Sequence, residues 1–240
     1  MEDGAPIMKI GIIIVCRYDS KRLRGKILKN IQGKEVLIYI YERLKKVSFS
    51  NDIVVATSRE SDDDEIAGFC DEHKINCFRG SKKDVSDRIL HCAEEYDFDY
   101  FVRICGDNIF ADYKLIDKMV KIAIENKYNF VSNLKNRTFP EGISVEILKT
   151  EFFKKIVRFF KTTEEKEHVT LYLYNHESEM KGFRYFYNDF CPEAKNIKLS
   201  LDDTNDLDFI TTIIKNMKKK HTEYLLKDIY ELSKGIMAVK

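Results

Sequence analysis

Ile10-Gly11-Ile12-Ile13-Ile14-Val15-Cys16, followed at once by Arg17-Tyr18-Asp19-Ser20-Lys21-Arg22-Leu23-Arg24-Gly25-Lys26, decides the fold. The first run carries no alternating polar residues, which suits a strand buried on both faces, as inside a parallel sheet. The charged stretch begins where that strand should end. Outward from here, apolar runs alternate with helical periodicity. The pattern predicts strands at residues 9–16, 52–56, 76–78, 100–105 and 129–133, and helices at 35–46, 62–73, 85–95 and 113–125. Such alternation implies right-handed crossovers and a doubly wound α/β sheet. The second half is less regular: strands at 142–148, 183–187 and 197–201, and helices at 151–160, 164–175, 205–218 and 223–232.

The bulk properties fit one domain. A chain of 240 residues can bury a single good core. With 41 basic against 40 acidic residues, there is no electrostatic reason to expect nucleic acid or an anionic membrane as partner. Three prolines and ten glycines leave no room for a long linker. We read residues 1–7 as an extension and 8–240 as one domain. No apolar run reaches the ~18–20 residues of a membrane span, and the run at 10–16 lacks the flanks of a signal peptide. Six cysteines without a Cys-x-x-Cys pair read as reduced thiols of a cytoplasmic protein.

In open α/β sheets, ligands bind at the carboxyl ends of the strands. Five cations within the ten residues from Arg17 to Lys26, with Ser20 and Gly25 among them, suit a polyphosphate at that edge. The plain alternative is a solvated charge run. It is not a Walker loop, since Gly-x-x-x-x-Gly-Lys-Ser/Thr is absent. Gly106-Asp107 follows the fourth predicted strand, and Asp202 follows the strand predicted at 197–201. Two loop carboxylates at one sheet edge suffice for Mg2+, which takes its remaining ligands from phosphate and water. Asp202-Asp203-Thr204 also reads as a helix cap, with Asp203 or Thr204 in the capping role. Asp62-Asp63-Asp64-Glu65 reads as compensation of a helix dipole.

Arg17-x-x-Ser20-x-Arg22-Leu23-x-Gly25-Lys26 resembles the nucleotide-binding signature of the cytidylyltransferases that make CMP-activated acid sugars. The likeness is to the spore coat polysaccharide biosynthesis protein F family, with CMP-KDO and CMP-sialate synthetases more distant. It continues through Val54-Val55-Ala56-Thr57-Ser58, Phe78-Arg79-Gly80-Ser81, Asp84-Val85-Ser86-Asp87-Arg88 and Val102-Arg103-Ile104-Cys105-Gly106-Asp107, ending near Asp206. Arg24 stands where the family usually has proline, and Asp203 where it usually has threonine.

The resemblance implies a single-domain, Rossmann-like mixed sheet of the nucleotide-diphospho-sugar transferase type. It implies CTP and an acidic sugar or related acceptor as partners, Mg2+ as cofactor, and a place in polysaccharide or glycan synthesis. Arg17, Ser20, Arg22, Lys26, Ser58, Arg88 and Asp107 would bind nucleotide. Arg22, Lys26 and Asp107 would act in catalysis, Asp107 and Asp202 would hold the metal, and Glu146 and His168 would face the acceptor. A homodimer is compatible with it. Two other readings compete. A GT-A glycosyltransferase would use Asp97-Phe98-Asp99 as its metal motif, but that motif precedes a strand. A non-catalytic nucleotide-binding relative would have kept the fold alone.

Overall fold

The computed structural model describes residues 8–50 and 52–237, so the extension expected at 1–7 lies outside the described residues. In chain order the strands are β1 (Ile10–Val15), a small hairpin of β2 (Asn30–Ile31) and β3 (Lys34–Glu35), β4 (Asp52–Ser58), β5 (Asn76–Gly80), β6 (Tyr100–Cys105), β7 (Phe130–Ser132), β8 (Glu146–Lys149) and β9 (Phe183–Tyr185). The helices are α1 (Val36–Leu44), α2 (Asp64–Glu72), α3 (Val85–Glu95), α4 (Tyr113–Glu125), α5 (Thr150–Ile156), α6 (Thr163–Glu167), α7 (Leu171–Asn175), α8 (Thr204–Lys215) and α9 (Leu226–Met237).

The main sheet runs β5-β4-β1-β6-β8-β7-β9. β5, β4, β1 and β6 are parallel; β8 is antiparallel to both β6 and β7. The mostly parallel, mixed α/β sheet read from the sequence is thus the observed fold. β1 is apolar throughout because both its faces are covered. Ile12 and Ile14 join a core with α1, α2, α4, α8 and α9, while Ile13 joins a second core with α3, α5 and α7.

The second half departs from the expectations. Residues 197–201 form no strand: they run beside a loop, joined by the Glu141–Lys198 bridge, by Leu199 N donating to Glu141 O at 2.8 Å, and by Leu201 N donating to Asp107 O at 3.1 Å. The helix expected over 164–175 breaks at His168 (ψ 59°) into α6 and α7. The break turns Val169 and Thr170 into the interior, where both are buried. Within 142–148 only the last residues pair as a strand. Ahead of them the Asn133 side chain stands in for a ladder, accepting from Val145 N at 2.8 Å and donating to Ile143 O at 2.7 Å. The helix expected over 151–160 tightens into a 3-10 turn after Ile156, and α9 starts at Leu226 and runs to Met237.

Arg43 ties the C-terminal segment to this frame. Fully buried on α1, its guanidinium donates to the carbonyls of Ala111 (2.8 Å), Tyr224 (2.5 Å) and His221. Burial pulls its pKa down to about 10.

Gly142 is the tightest backbone crossing beneath the cleft. Its φ is +93°, and a Cβ there would stand 2.4 Å from the Leu199 carbonyl carbon and 2.5 Å from Ser200 N. Gly33, at φ +82°, has nothing within 4 Å of that position. Gly33→Ala should therefore show the backbone cost alone, about 1–2 kcal/mol, or roughly 2–8 °C in melting temperature for a chain of this size. Gly142→Ala should lose more, because backbone must also move. Equal melting shifts for the two variants would mean that the 142/199–200 contact yields freely.

Candidate active site

Because β1 and β6 are parallel neighbours, their carboxyl ends open on one cleft of about 1140 Å³. Arg17, Ser20, Arg22, Lys26, Arg88, Asp107, His168 and Asp202 all line it. Eight of the residues singled out from the sequence, drawn from distant parts of the chain, thus meet in one place.

The loop after β1 is held at both ends. Tyr18 N donates to Asp63 Oδ1 at 2.6 Å, and Gly25 N donates back to Tyr18 O at 2.8 Å. Gly25 closes the turn in the left-handed region (φ +67°) and starts a 3-10 turn over Lys26–Leu28, which aims Lys26 inward. Arg24 leaves the cleft: it pairs with Asp62 at 3.0 Å and lies over the Tyr18 ring.

Lys26 is the hub. Its Nζ donates to Leu201 O at 2.7 Å and to Asp202 Oδ1 at 3.1 Å, and it stands 3.9 Å from Asp107 Oδ2. Arg22 reaches the same Asp202 oxygen at 2.9 Å from a largely exposed position. Burial raises the pKa of Asp107, opposed by Lys26 and reinforced by Asp202. Burial also acts to raise that of Asp202, but Lys26, Arg22 and Lys198 together leave it below the ordinary carboxylate value. Gly106 is needed on the way to Asp107, since a Cβ there would stand 2.6 Å from the Cys16 Cβ.

Asp203 is the helix cap. Its side chain accepts from Asn205 N and Asp206 N, and Asp206 closes a capping box at the start of α8. Asp206 Oδ2 also accepts from Asp202 N at 2.9 Å. With the capping role taken by Asp203, it is Asp202 of the two that lines the cleft. Among the described residues no three or more His, Cys, Asp or Glu side chains cluster as a metal site. Two hard carboxylates converging on one cation fit an ion that completes its shell with phosphate and water, as Mg2+ does.

Arg17 is engaged across the cleft. Nη2 donates to Glu167 Oε1 at 2.7 Å, and Nη1 donates to Lys82 O at 3.2 Å. Arg88, 1% exposed, donates to Ser81 O at 2.9 Å, and its buried Nε has no partner among the described residues.

Two expected ligands sit elsewhere. Ser58 is fully buried and bonded through N and Oγ to Asp63 Oδ2, so it supports the loop and does not line the cleft. Glu146 is 1% exposed, with both oxygens occupied by Arg103, Thr170 and Tyr174. Burial in the sheet takes both out of direct reach of a ligand. Asp97-Phe98-Asp99 lies at the opposite end of β6, where Asp99 accepts from Lys9 N at 2.8 Å.

Several cleft-shaping residues escaped the sequence reading. Asp63, read as part of a dipole-compensating run, instead anchors β4 to the loop after β1. Arg103 lines the cleft from inside β6; a lone charge within an apolar strand was the signal available. Glu167, the partner of Arg17, carries no comparable signal.

Comparison with known proteins agrees with this geometry. A cytidylyltransferase family model matches residues 11–233. Spore coat polysaccharide biosynthesis protein SpsF of Bacillus subtilis is 30% identical over 84% of this chain and 84% of its own length. A 3-deoxy-manno-octulosonate cytidylyltransferase of Geotalea uraniireducens is 30% identical over 78% of this chain and 69% of its own. The solved structure of a cytidylyltransferase from Leptospira borgpetersenii superposes with a TM-score of 0.90 at 29% identity, covering 97% of each chain. With the fold, the cationic loop and the family match in agreement, the chain belongs to the cytidylyltransferase family.

Proposed function

We propose that this chain uses CTP and Mg2+ to form a CMP-activated acid sugar, releasing pyrophosphate, in the cytoplasm and in the service of polysaccharide or glycan synthesis. CTP-using nucleotidyl transfer follows from the family. The acceptor class and the metal are our reading. The observation that carries it is the Lys26 ammonium, drawn between Asp202, Asp107 and the Leu201 carbonyl at the carboxyl edge of the sheet.

In the reaction an acceptor hydroxyl oxygen attacks the α-phosphorus. The bond from that phosphorus to the bridging oxygen breaks, pyrophosphate leaves with that oxygen, and the hydroxyl proton passes to solvent. The chain's part is positioning and electrostatics. Arg17 and Arg22 grip the triphosphate, Arg17 exchanging Glu167 for phosphate. Lys26, held in place by its carbonyl contact, meets the charge that grows on the α-phosphate and the leaving group. Asp107 and Asp202 would hold Mg2+, which when bound neutralises phosphate charge. His168 borders the acceptor side, and Arg88 and Ser20 complete the nucleotide wall. The acceptor and CTP are the small-molecule partners, and no nucleic acid or membrane is needed. Among the described residues no helix is long and apolar enough to cross a membrane.

Calorimetry with CTP, UTP, ATP and GTP in the presence of Mg2+ should give tightest binding for CTP. A purine that binds tighter would sink the reading.

Asp107→Asn and Asp202→Asn should leave the fold intact while lowering turnover by ~10²–10³, the usual cost of removing one element of transition-state electrostatics. A variant that keeps wild-type turnover at saturating Mg2+ removes that aspartate from the metal site.

Lys26→Ala should both weaken CTP binding and slow turnover at saturating CTP, because only contacts stronger in the transition state accelerate chemistry. Lys29, outside the cleft lining, is the control. A loop acting only by diffuse potential would respond equally to both changes, and salt would erase both effects over a screening length of ~8–10 Å. Lys26→Ala should remain distinct from Lys29→Ala at high salt.

A further inference from the structure

Arg103, Glu146 and Ser132 form one row across three strands: Arg103 faces Glu146 between β6 and β8, and Glu146 faces Ser132 between β8 and β7. A charge in a strand whose neighbours Val102 and Ile104 are fully buried is costly unless it is paired and hydrogen-bonded. The pairing here is built with care. Glu146 Oε2 accepts from Arg103 Nη1, and Oε1 accepts from Thr170 Oγ1 at 2.7 Å and Tyr174 OH at 2.9 Å. The Tyr174 hydroxyl is itself 2.6 Å from Ser132 Oγ.

This saturates the carboxylate and leaves the guanidinium incomplete. Arg103 Nε is enclosed without a partner, and Nη2 has no hydrogen-bond partner among the described residues. The side chain is 15% exposed and lines the cleft, on the strand that leads to Asp107. Of the other cations lining the cleft, Lys26 is bonded to Asp202 and the Leu201 carbonyl, and Arg17 and Arg22 are assigned above to the triphosphate. An acid placed next to Asp107 would meet that carboxylate, and Arg103, on the strand that leads to it, is the cation set to offset the repulsion.

We propose that Arg103 reads the acceptor: its unpaired Nη2 donates to an oxyacid group, carboxylate or phosphate, and Glu146 is the positioning residue that aims it. The proposal rests on the acid-acceptor reading above and adds the residue that enforces it. Glu146 then serves the acceptor without touching it. Because Glu146 fixes the guanidinium before any ligand arrives, little side-chain entropy is lost on binding.

The test compares acids with neutral partners of the same shape. 3-Deoxy-manno-octulosonate and N-acetylneuraminate are each set against their methyl esters, and glycerol 3-phosphate against glycerol. Affinity is read by calorimetry with CTP present, and as acceptor KM wherever pyrophosphate is released. Arg103→Met alone strands a buried carboxylate and risks unfolding, so the deciding variant is Arg103→Met with Glu146→Gln, which removes both charges together. Wild type should favour the acid of at least one pair. The double variant should weaken that acid by ~10–100-fold while CTP and the neutral partner stay within about twofold. A merely structural role would weaken acid and neutral partner alike. Arg103→Lys should recover part of the acid preference, charge without the fork. The pair that responds tells carboxylate from phosphate. An unchanged acid preference in the double variant overturns the proposal, as does a wild type that binds acid and neutral partner equally or binds neither. Those outcomes leave CTP-using transfer intact. Failure of the wild type to bind CTP would strike the proposed function instead.

Discussion

β1 is hydrogen-bonded in parallel on both sides, to β4 and to β6, and everything near the cleft depends on that double pairing. A strand with a parallel neighbour on each flank has its exit fixed by both. Val15, Ala56 and Cys105 stand in register, so the segments that follow β1, β4 and β6 emerge together. The apolar sequence of β1 is the cost of this position, because helices cover both faces and leave no site for a polar side chain. What cannot be polar within the strand becomes strongly polar directly after it.

At that edge the charges are arranged so that none is buried alone. Lys26 and Asp202 are each only about 15% exposed, and a lone charge there would be unfavourable. Each is therefore tied more than once: Lys26 to a carbonyl and to carboxylates, Asp202 to Lys26, Arg22 and Ser200. The same ties join residue 26 to residue 202 and draw together segments 176 residues apart in the chain. Site and tertiary structure are thus one network. The loop that would receive phosphate is also the loop that fixes the segment after residue 197 against β6.

The first half of this architecture was legible in the sequence and the second was not, for a physical reason. Up to residue 125 each element signals itself: a fully apolar run for a two-face strand, a 3.6-residue period for its covering helix, and charge at the crossover. Beyond it, order comes from side chains that replace backbone ladders. Asn133 pairs with residues 143 and 145, and Asp206 gathers the amides of 202 and 203. Residues 197–201 look like a strand because they are extended and alternate, yet their partner is a loop. No periodicity reports such contacts. The site divides likewise. Asp107 directly follows β6 and Lys26 lies on the loop that leaves β1, so their place at the sheet edge could be read from the strand pattern, while Asp202 reaches the same edge from a segment that is no strand. Ser58 and Glu146 were placed in ligand contact by resemblance, and their burial shows that proximity to a site in sequence does not decide which way a side chain faces.

Glu146 makes the underlying logic explicit. Its backbone belongs to β8, the strand that reverses direction beside β6, and reversal is what sets it opposite Arg103 in register. A parallel strand at that place would need a crossover to arrive there; the antiparallel one brings in, with the same stretch of chain, the carboxylate that compensates the arginine. α7 then contributes Tyr174, and Thr170 just before it contributes a second hydroxyl. Neither reaches Glu146 unless the helix breaks at His168. Mixed topology, the broken helix and a charge tolerated inside a strand are therefore one constraint seen at three levels. The parallel half of the sheet gathers the groups suited to phosphate, and the antiparallel addition supplies a second wall with its own charge balance.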